Sequence, residues 1–187
     1  PPTGIGYDPE QAKAWLTEAG YPEGRGFPRF HILYNRSELH EKIALEIQDM
    51  WRSTLGLKCD LKNMQWAAYL ETTSNLEYDV ARSSWIGDSV DPNTFLDCFI
   101  SGGGNNRTGW TNAEYDNLIE QAGRETDPEK RMEIFRRAET ILVKEESPIA
   151  PIYYYAGILF YNADKLKGIY PNVLAEHPLR EMWIKRD

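Results

Sequence analysis

Segments of strand character that alternate with amphipathic helices predict an α/β domain whose mostly parallel or mixed sheet is flanked by helices. Three observations carry this. Phe30 to Tyr34 (FHILY) is extended and apolar and is followed by a long amphipathic run. Leu57, Cys59 and Leu61 then alternate with Lys58, Asp60 and Lys62, the period of a half-buried strand. Finally, Tyr78 to Phe99 (YDVARSSWIGDSVDPNTFLDCF) runs from β-forming residues through an acidic turn into a short helix. Right-handed crossovers would bring the strands into one parallel sheet with their carboxyl ends along one edge.

The first helix is signalled by Asp8 at the N-cap, Pro9 at the first helical position and an apolar face of Ala12, Trp15, Leu16 and Ala19, closed by Gly20 and Pro22. Tyr21 to Pro28 reads as a loop. Ser37 opens a long helix with the predicted stripe Leu39, Ile43, Ile47, Met50 and Leu55, and Gly56 ends it. Gln65 to Thr72, with Trp66, Tyr69 and Leu70, reads as a short helix leading into a strand from Tyr78 to Ile86. Gly87-Asp88 breaks that strand, and Asp91-Pro92 opens the next helix. Ser101 to Trp110 (SGGGNNRTGW) lacks apolar periodicity and reads as a mobile or ligand-covering loop. Asn112 and Asp127-Pro128 open two helices whose inner faces carry Tyr115, Leu118, Ile119 and Ala122, then Met132, Phe135, Ala138, Ile141 and Leu142, expected as a pair packed on the sheet. Pro151 precedes Ile152 to Tyr161 (IYYYAGILFY), read as one or two aromatic-rich strands. Residues 1–161 are taken as the domain, and 162–187 as a weakly patterned tail that packs against something, in this chain or outside it.

At 187 residues the chain buries a sizeable core. A net charge of −8, a pI near 5.0 and no Lys/Arg run argue against nucleic acid as a partner. No apolar run reaches the roughly 18 residues a membrane helix needs. Cys59 and Cys98 are read as buried free thiols. The six Trp and eleven Tyr exceed what a core this size uses, so some should line a recognition surface. There is no GxSxG elbow, no HExxH or CxxC spacing and no Walker loop, so acyl transfer, metal and phosphate-cradle chemistry gain no support, and no cofactor is expected. The two N-x-S/T patterns, at Asn35 and Asn106, are short enough to arise by chance.

Asp88 stands out because it follows a strand end, where ligands of α/β sheets bind, with Arg82 and Trp85 close in sequence. Asp91 and Asp97 have structural uses as N-cap and helix-surface charge, which leaves Asp88 as one acid suited to binding a cation; capping a turn is the alternative. His40 lies in the first turn of the long helix, where the helix dipole would lower its pKa. A solvated surface histidine is the alternative there.

Long motifs carry a resemblance. YDPEQAKAWLTEAGYPEG, LYNRSELHEKIALEIQDMWRSTLGLK, YDVARSSWIGDSVDPNTFLDCF, GNNRTGWTNAEYDNLI, DPEKRMEIFRRAETIL and SPIAPIYYY together make nearly the whole chain closely resemble the oligopeptide- and dipeptide-binding proteins that serve bacterial ABC importers. The resemblance implies the C-terminal lobe of a two-lobed, periplasmic-binding-protein-like fold that closes on an extended peptide, an extracytoplasmic location, no enzymatic activity, and as partners a peptide, an N-terminal lobe and a membrane permease. It also implies a signal peptide and further domains upstream of this sequence.

The resemblance further implies roles for individual residues. Asp88 would pair with the ligand α-amino group, and Arg82 and His40 would meet the carboxylate of shorter peptides. Trp66, Trp85 and Tyr155 would form walls, and the Ser83, Ser84 and Trp85 backbone would pair with the peptide main chain. Ile86 stands where the closest oligopeptide binders carry a cysteine, so a disulfide from that position is absent. The tail would pack on the N-terminal lobe, and this chain alone should bind peptide weakly or not at all. A hydrolase using Asp88 with a second carboxylate, and a purely structural interaction module, are the rival readings.

Overall fold

A computed structural model of the chain describes residues 6–172 and 176–185. Its centre is a three-stranded parallel sheet in the order β2-β1-β3, formed by β1 (Phe30–Asn35), β2 (Cys59–Met64) and β3 (Val80–Ala81). β1 pairs with β2 over its whole length, from Phe30 opposite Cys59 to Asn35 opposite Met64, and with β3 only at Ile32 and Leu33. The helices α2 (Glu38–Leu55) and α3 (Trp66–Ser74) form the crossovers, as parallel neighbours require.

Local side-chain chemistry sets three of the helix starts. Asp8 accepts the Gln11 N–H at 2.9 Å ahead of α1 (Pro9–Glu18). Asn112 accepts that of Tyr115 ahead of α5 (Ala113–Arg124), and Asp127 those of Glu129 and Lys130 ahead of α6 (Pro128–Thr140). Ser37 occupies the N-cap of α2 without a side-chain capping bond. Gly56 ends α2 at φ +69°, and a Cβ there would lie 2.2 Å from the Glu23 carbonyl oxygen, so the chain needs glycine both for the turn and for that close approach.

The hydrophobic interior has two parts. Ile32, Tyr34, Ala44 and Cys59 pack between the sheet and α2, bordered by Phe30, Ile47, Trp51 and Leu61. The second core holds Leu96, Tyr115, Ile119, Ala122, Phe135, Ala138, Ile141, Leu142 and Val143. The α5/α6 pair thus closes a core of its own instead of lying on the sheet, together with the short α4 (Asn93–Leu96) and a π-helical turn, Ile141–Glu145, that extends α6. The two parts meet where Arg107 Nη1 donates to Thr73 Oγ1 at 3.3 Å, Tyr78 OH donates to the Arg107 carbonyl, and Leu76 lies against Gly109.

Several expectations are corrected. The stripe on α2 is right in part: Ile43, Ile47 and Leu55 are half-buried, but Leu39 and Met50 are exposed, and Ala44 and Trp51 join Ile47 on the face that packs, because the sheet meets the helix on that side. The strand predicted over Tyr78–Ile86 shrinks to Val80–Ala81, since β1 offers partners only there. Ile152–Tyr161 forms no strand: every residue in it is exposed, and β-propensity without a neighbouring strand builds no ladder. Met132 is exposed rather than inward. The Ser101–Trp110 loop is fastened by the Asn106 amide, which donates to the carbonyls of Phe99, Ile100 and Trp110 while its oxygen accepts from Thr108. The tail contains a small antiparallel pair, β4 (Leu166–Lys167) with β5 (Trp183–Ile184); its residues 173–175 and 186–187 lie outside the described residues. Cys59 and Cys98 are free and buried, as expected.

Candidate functional site

The carboxyl ends of β1 and β3 emerge side by side. Arg82 continues the ladder one step past β3, its N–H donating to the Leu33 carbonyl at 2.8 Å. The Arg82 carbonyl accepts the hydroxyl of Tyr69, which stands on buried ground in α3, at 2.6 Å. Its guanidinium donates to the Tyr155 hydroxyl, and the Tyr155 ring lies edge-on to Tyr153 with centroids 4.9 Å apart. Backbone and side chain of Arg82 are thus both tethered, but no carboxylate among the described residues pairs with it.

His40 belongs to the same edge. Its Nδ1 lies 3.3 Å from the Asn35 carbonyl oxygen, where β1 ends. Burial holds the imidazole pKa below its usual range, the positive charge of Arg82 lowers it further, and the Asn35 hydrogen bond opposes both. The lowering expected from the helix dipole is therefore accounted for by burial and a neighbouring guanidinium. Beside it, Asn35 Oδ1 is buried without a donor among the described residues.

Beyond Arg82 the chain leaves the sheet. Ser83, Ser84, Trp85 and Ile86 are exposed, and none makes a hydrogen bond with another described residue, so this stretch presents unpaired main-chain groups directly after a strand. Gly87 then lets the chain press against α4: a Cβ there would sit 2.9 Å from the Phe95 ring and 3.0 Å from the Thr94 methyl. Asp88 follows, anchored by its backbone, with its N–H donating to Thr94 Oγ1 at 2.9 Å. Its carboxylate is exposed and has no hydrogen-bond or ion-pair partner among the described residues. The Cys98 thiol behind the loop is pushed up to about 11, by burial first and then by Asp97 and Asp88.

The neighbouring acids are already engaged. Asp91 does not cap the helix as its N-cap residue; Pro92 holds that position. Its carboxylate is gripped by Arg131 Nη1 and Nη2 at 2.5 and 2.9 Å and also accepts the Asn93 N–H at 2.9 Å, which holds it below the usual carboxylate range. Arg131 in turn stacks over the Phe135 ring at 4.6 Å. Asp97 accepts from Asn93 Nδ2 at 3.3 Å.

Of the residues picked out in the sequence, Arg82, His40 and Tyr155 are brought together by contact and charge. Trp66 joins their border by stacking on Tyr69, with centroids 5.6 Å apart at 18°. Ser83, Ser84 and Trp85 form the extended stretch, and Asp88 stands at its far end. Trp66 (58%), Trp85 (42%) and Tyr155 (52%) are exposed. Sequence reasoning missed Asn35, Tyr69, Tyr153 and Thr94. Tyr69 carried a signal, three residues after Trp66 on a predicted helix; the others matter through partners distant in sequence.

Residues 1–107 match the family described as "Bacterial extracellular solute-binding proteins, family 5 Middle". The oligopeptide-binding protein OppA of Bacillus subtilis (strain 168) is 37% identical over 161 residues, 86% of this chain and 29% of that protein. Among solved structures, the periplasmic oligopeptide-binding protein OppAIV from Borrelia burgdorferi superposes with a TM-score of 0.80 at 35% identity, covering 96% of this chain and 36% of that one. Haemophilus influenzae OppA in complex with RPPGFSPFR gives a TM-score of 0.80 at 32% identity, covering 94% and 34%. The chain therefore spans about three-tenths of that curated relative and about a third of these structures.

Proposed function

The chain belongs to family 5 of the bacterial extracellular solute-binding proteins, and on that premise we propose that it is the peptide-binding lobe of an ABC importer's receptor, an extracytoplasmic, non-enzymatic module that works with an N-terminal lobe and a membrane permease. The observation that carries the reading is the exposed Asp88 carboxylate, without a partner among the described residues, after four residues whose main chain is likewise unpaired among them. A peptide laid along Ser83, Ser84 and Trp85 adds a strand, a mode that reads backbone and so tolerates many side chains. Its α-ammonium meets Asp88 in a charge-assisted bond worth about 1.5–3 kcal/mol. At the other end of the stretch Arg82 and His40 receive the carboxylate of a short peptide, with Trp66, Trp85 and Tyr155 as walls.

The hydrolase reading requires a second carboxylate beside Asp88. Asp91 is held by Arg131 and Asp97 by Asn93, which weighs against it. Calorimetric titration of the chain with tri- to pentapeptides tests the receptor reading. Binding should be weak, because only one side of the ligand is enclosed, and Asp88→Asn or N-acetylation of the peptide should weaken it about tenfold to a hundredfold. Equal affinity for free and acetylated peptides would overturn the role of Asp88, and sub-micromolar binding would overturn the need for a second lobe.

A further inference from the structure

The ladder between β1 and β3 ends at Arg82, and the peptide unit just beyond it is held by a side chain. The Arg82 N–H donates to the Leu33 carbonyl at 2.8 Å, so β1 fixes the unit between Ala81 and Arg82. The next unit joins the Arg82 carbonyl to the Ser83 N–H. β1 pairs with β3 only at Ile32 and Leu33, and no described β1 amide reaches that carbonyl. It accepts the Tyr69 hydroxyl instead, at 2.6 Å. The donor is itself fixed. Tyr69 is buried and stacks on Trp66, and its own carbonyl accepts the Thr73 hydroxyl at 2.9 Å; that hydroxyl accepts from Arg107 Nη1 at 3.3 Å.

In a planar trans peptide unit the carbonyl and the N–H point in opposite directions, and the described peptide bonds are trans. A bond that holds the Arg82 carbonyl toward Tyr69 therefore holds the Ser83 N–H away from Tyr69. Ser83 is exposed, and its N–H has no acceptor among the described residues. The peptide units that follow, from Ser83 to Gly87, make no described hydrogen bond, so the Ser83 N–H is the one donor of this stretch whose direction a described bond sets. We infer that Tyr69 is a positioning residue: through the unit between Arg82 and Ser83, its hydroxyl aims the Ser83 N–H at a main-chain carbonyl of the bound peptide. Without the hydroxyl that unit can rotate, and the donor at the head of the pairing stretch loses its aim. The inference rests on the peptide-receptor reading and adds to it a residue that acts on the ligand only through the backbone.

Tyr69→Phe removes one oxygen and keeps the ring, its stack on Trp66 and the buried volume. Tyr115→Phe makes the same change in the α5/α6 core, where that hydroxyl donates to the Leu96 carbonyl at 2.6 Å, and serves as the control. Wild type and both variants, isotope-labelled, are titrated with trialanine to millimolar concentration by calorimetry, and amide exchange is followed by NMR with and without the peptide. In wild type and Tyr115→Phe the Ser83 amide should exchange about tenfold more slowly once peptide is bound. Tyr69→Phe should lose that protection and bind trialanine about threefold to tenfold more weakly, the effect of one hydrogen bond. Equal affinity and equal Ser83 protection in wild type and Tyr69→Phe would overturn the positioning role and leave the receptor reading standing. Weaker binding by Tyr69→Phe with Ser83 still protected would overturn it too, because the hydroxyl would then serve stability alone. Failure of wild type to bind trialanine at all overturns the receptor reading and the inference with it.

Discussion

The two halves of this chain solve the burial problem differently. The α5/α6 half closes on itself: Tyr115 is fully buried and donates its hydroxyl to the Leu96 carbonyl at 2.6 Å, and Phe135, Ala138, Ile141 and Leu142 pack around it. The sheet half is thinner. Its buried cluster is Ile32, Tyr34, Ala44 and Cys59, with Leu33, Leu57 and Tyr69 buried outside that cluster, its long helix leaves Leu39, Leu45 and Met50 in solvent, and α1 contributes no buried residue at all. The half that is well packed carries none of the candidate ligand contacts. It supplies rigidity instead, because Arg131 on α6 holds Asp91 and so fixes the loop from which Asp88 projects. A site exposed on a thin sheet keeps its geometry by leaning on a dense neighbour.

Substitutions put that contrast to the test. The largest effect is expected from Phe135→Ala in the dense half, which should lower stability by about 3–5 kcal/mol in denaturant unfolding, whereas Trp51→Ala in the thin half should cost about half as much because its ring is only partly covered. Equal losses would erase the distinction. Next comes the seam. Gly109 has φ +72°, and a Cβ there would meet Leu76 Cδ1 at 2.8 Å, so Gly109→Ala should cost about 1–2 kcal/mol and split one thermal transition toward two. A single unshifted transition would show that the halves are not joined there.

Asp91→Asn should cost about 1 kcal/mol after allowing for solvent screening of a pair that is a quarter to a third exposed. Because the carboxyl of Asp91 is lowered in the folded chain, the unfolded chain binds the extra proton first; the contribution is present above about pH 4 and is lost as pH falls through the folded value. Acid unfolding of the variant should accordingly lack that segment of the wild-type curve. The smallest effect belongs to His40. Its lowered value means the unfolded chain takes the proton more readily, so this contribution is present above about pH 6.5 and is lost as pH falls below it. Stability profiles of wild type and His40→Gln should diverge in that range and nowhere else.

What was legible in the sequence follows from the range of the forces involved. Asp8, Asn112 and Asp127 act on amides two or three residues away, so their helices could be read with their starts. Asp91 looked the same beside Pro92, but its principal partner is forty positions on, at Arg131, and no local pattern reveals that. The strand from Tyr78 was over-extended, and the one at Ile152 invented, because β-forming residues state a preference while a ladder needs a neighbour. At the site, Asp88 was visible because Gly87 breaks the chain beside it. Asn35 and Thr94 were not, since their importance lies in a carbonyl and a hydroxyl presented to residues elsewhere.

The unpaired main chain from Ser83 to Ile86 has a further consequence for the protein in a concentrated sample. A row of amide and carbonyl groups unpaired among the described residues, continuing a short edge strand with Trp85 and Ile86 in solvent, can accept a strand from another molecule. Mutual repulsion between molecules carrying a net charge of −8 is what opposes such self-association, so raising the salt concentration or lowering the pH toward 5.0 should turn a monomeric solution into one that sticks to itself.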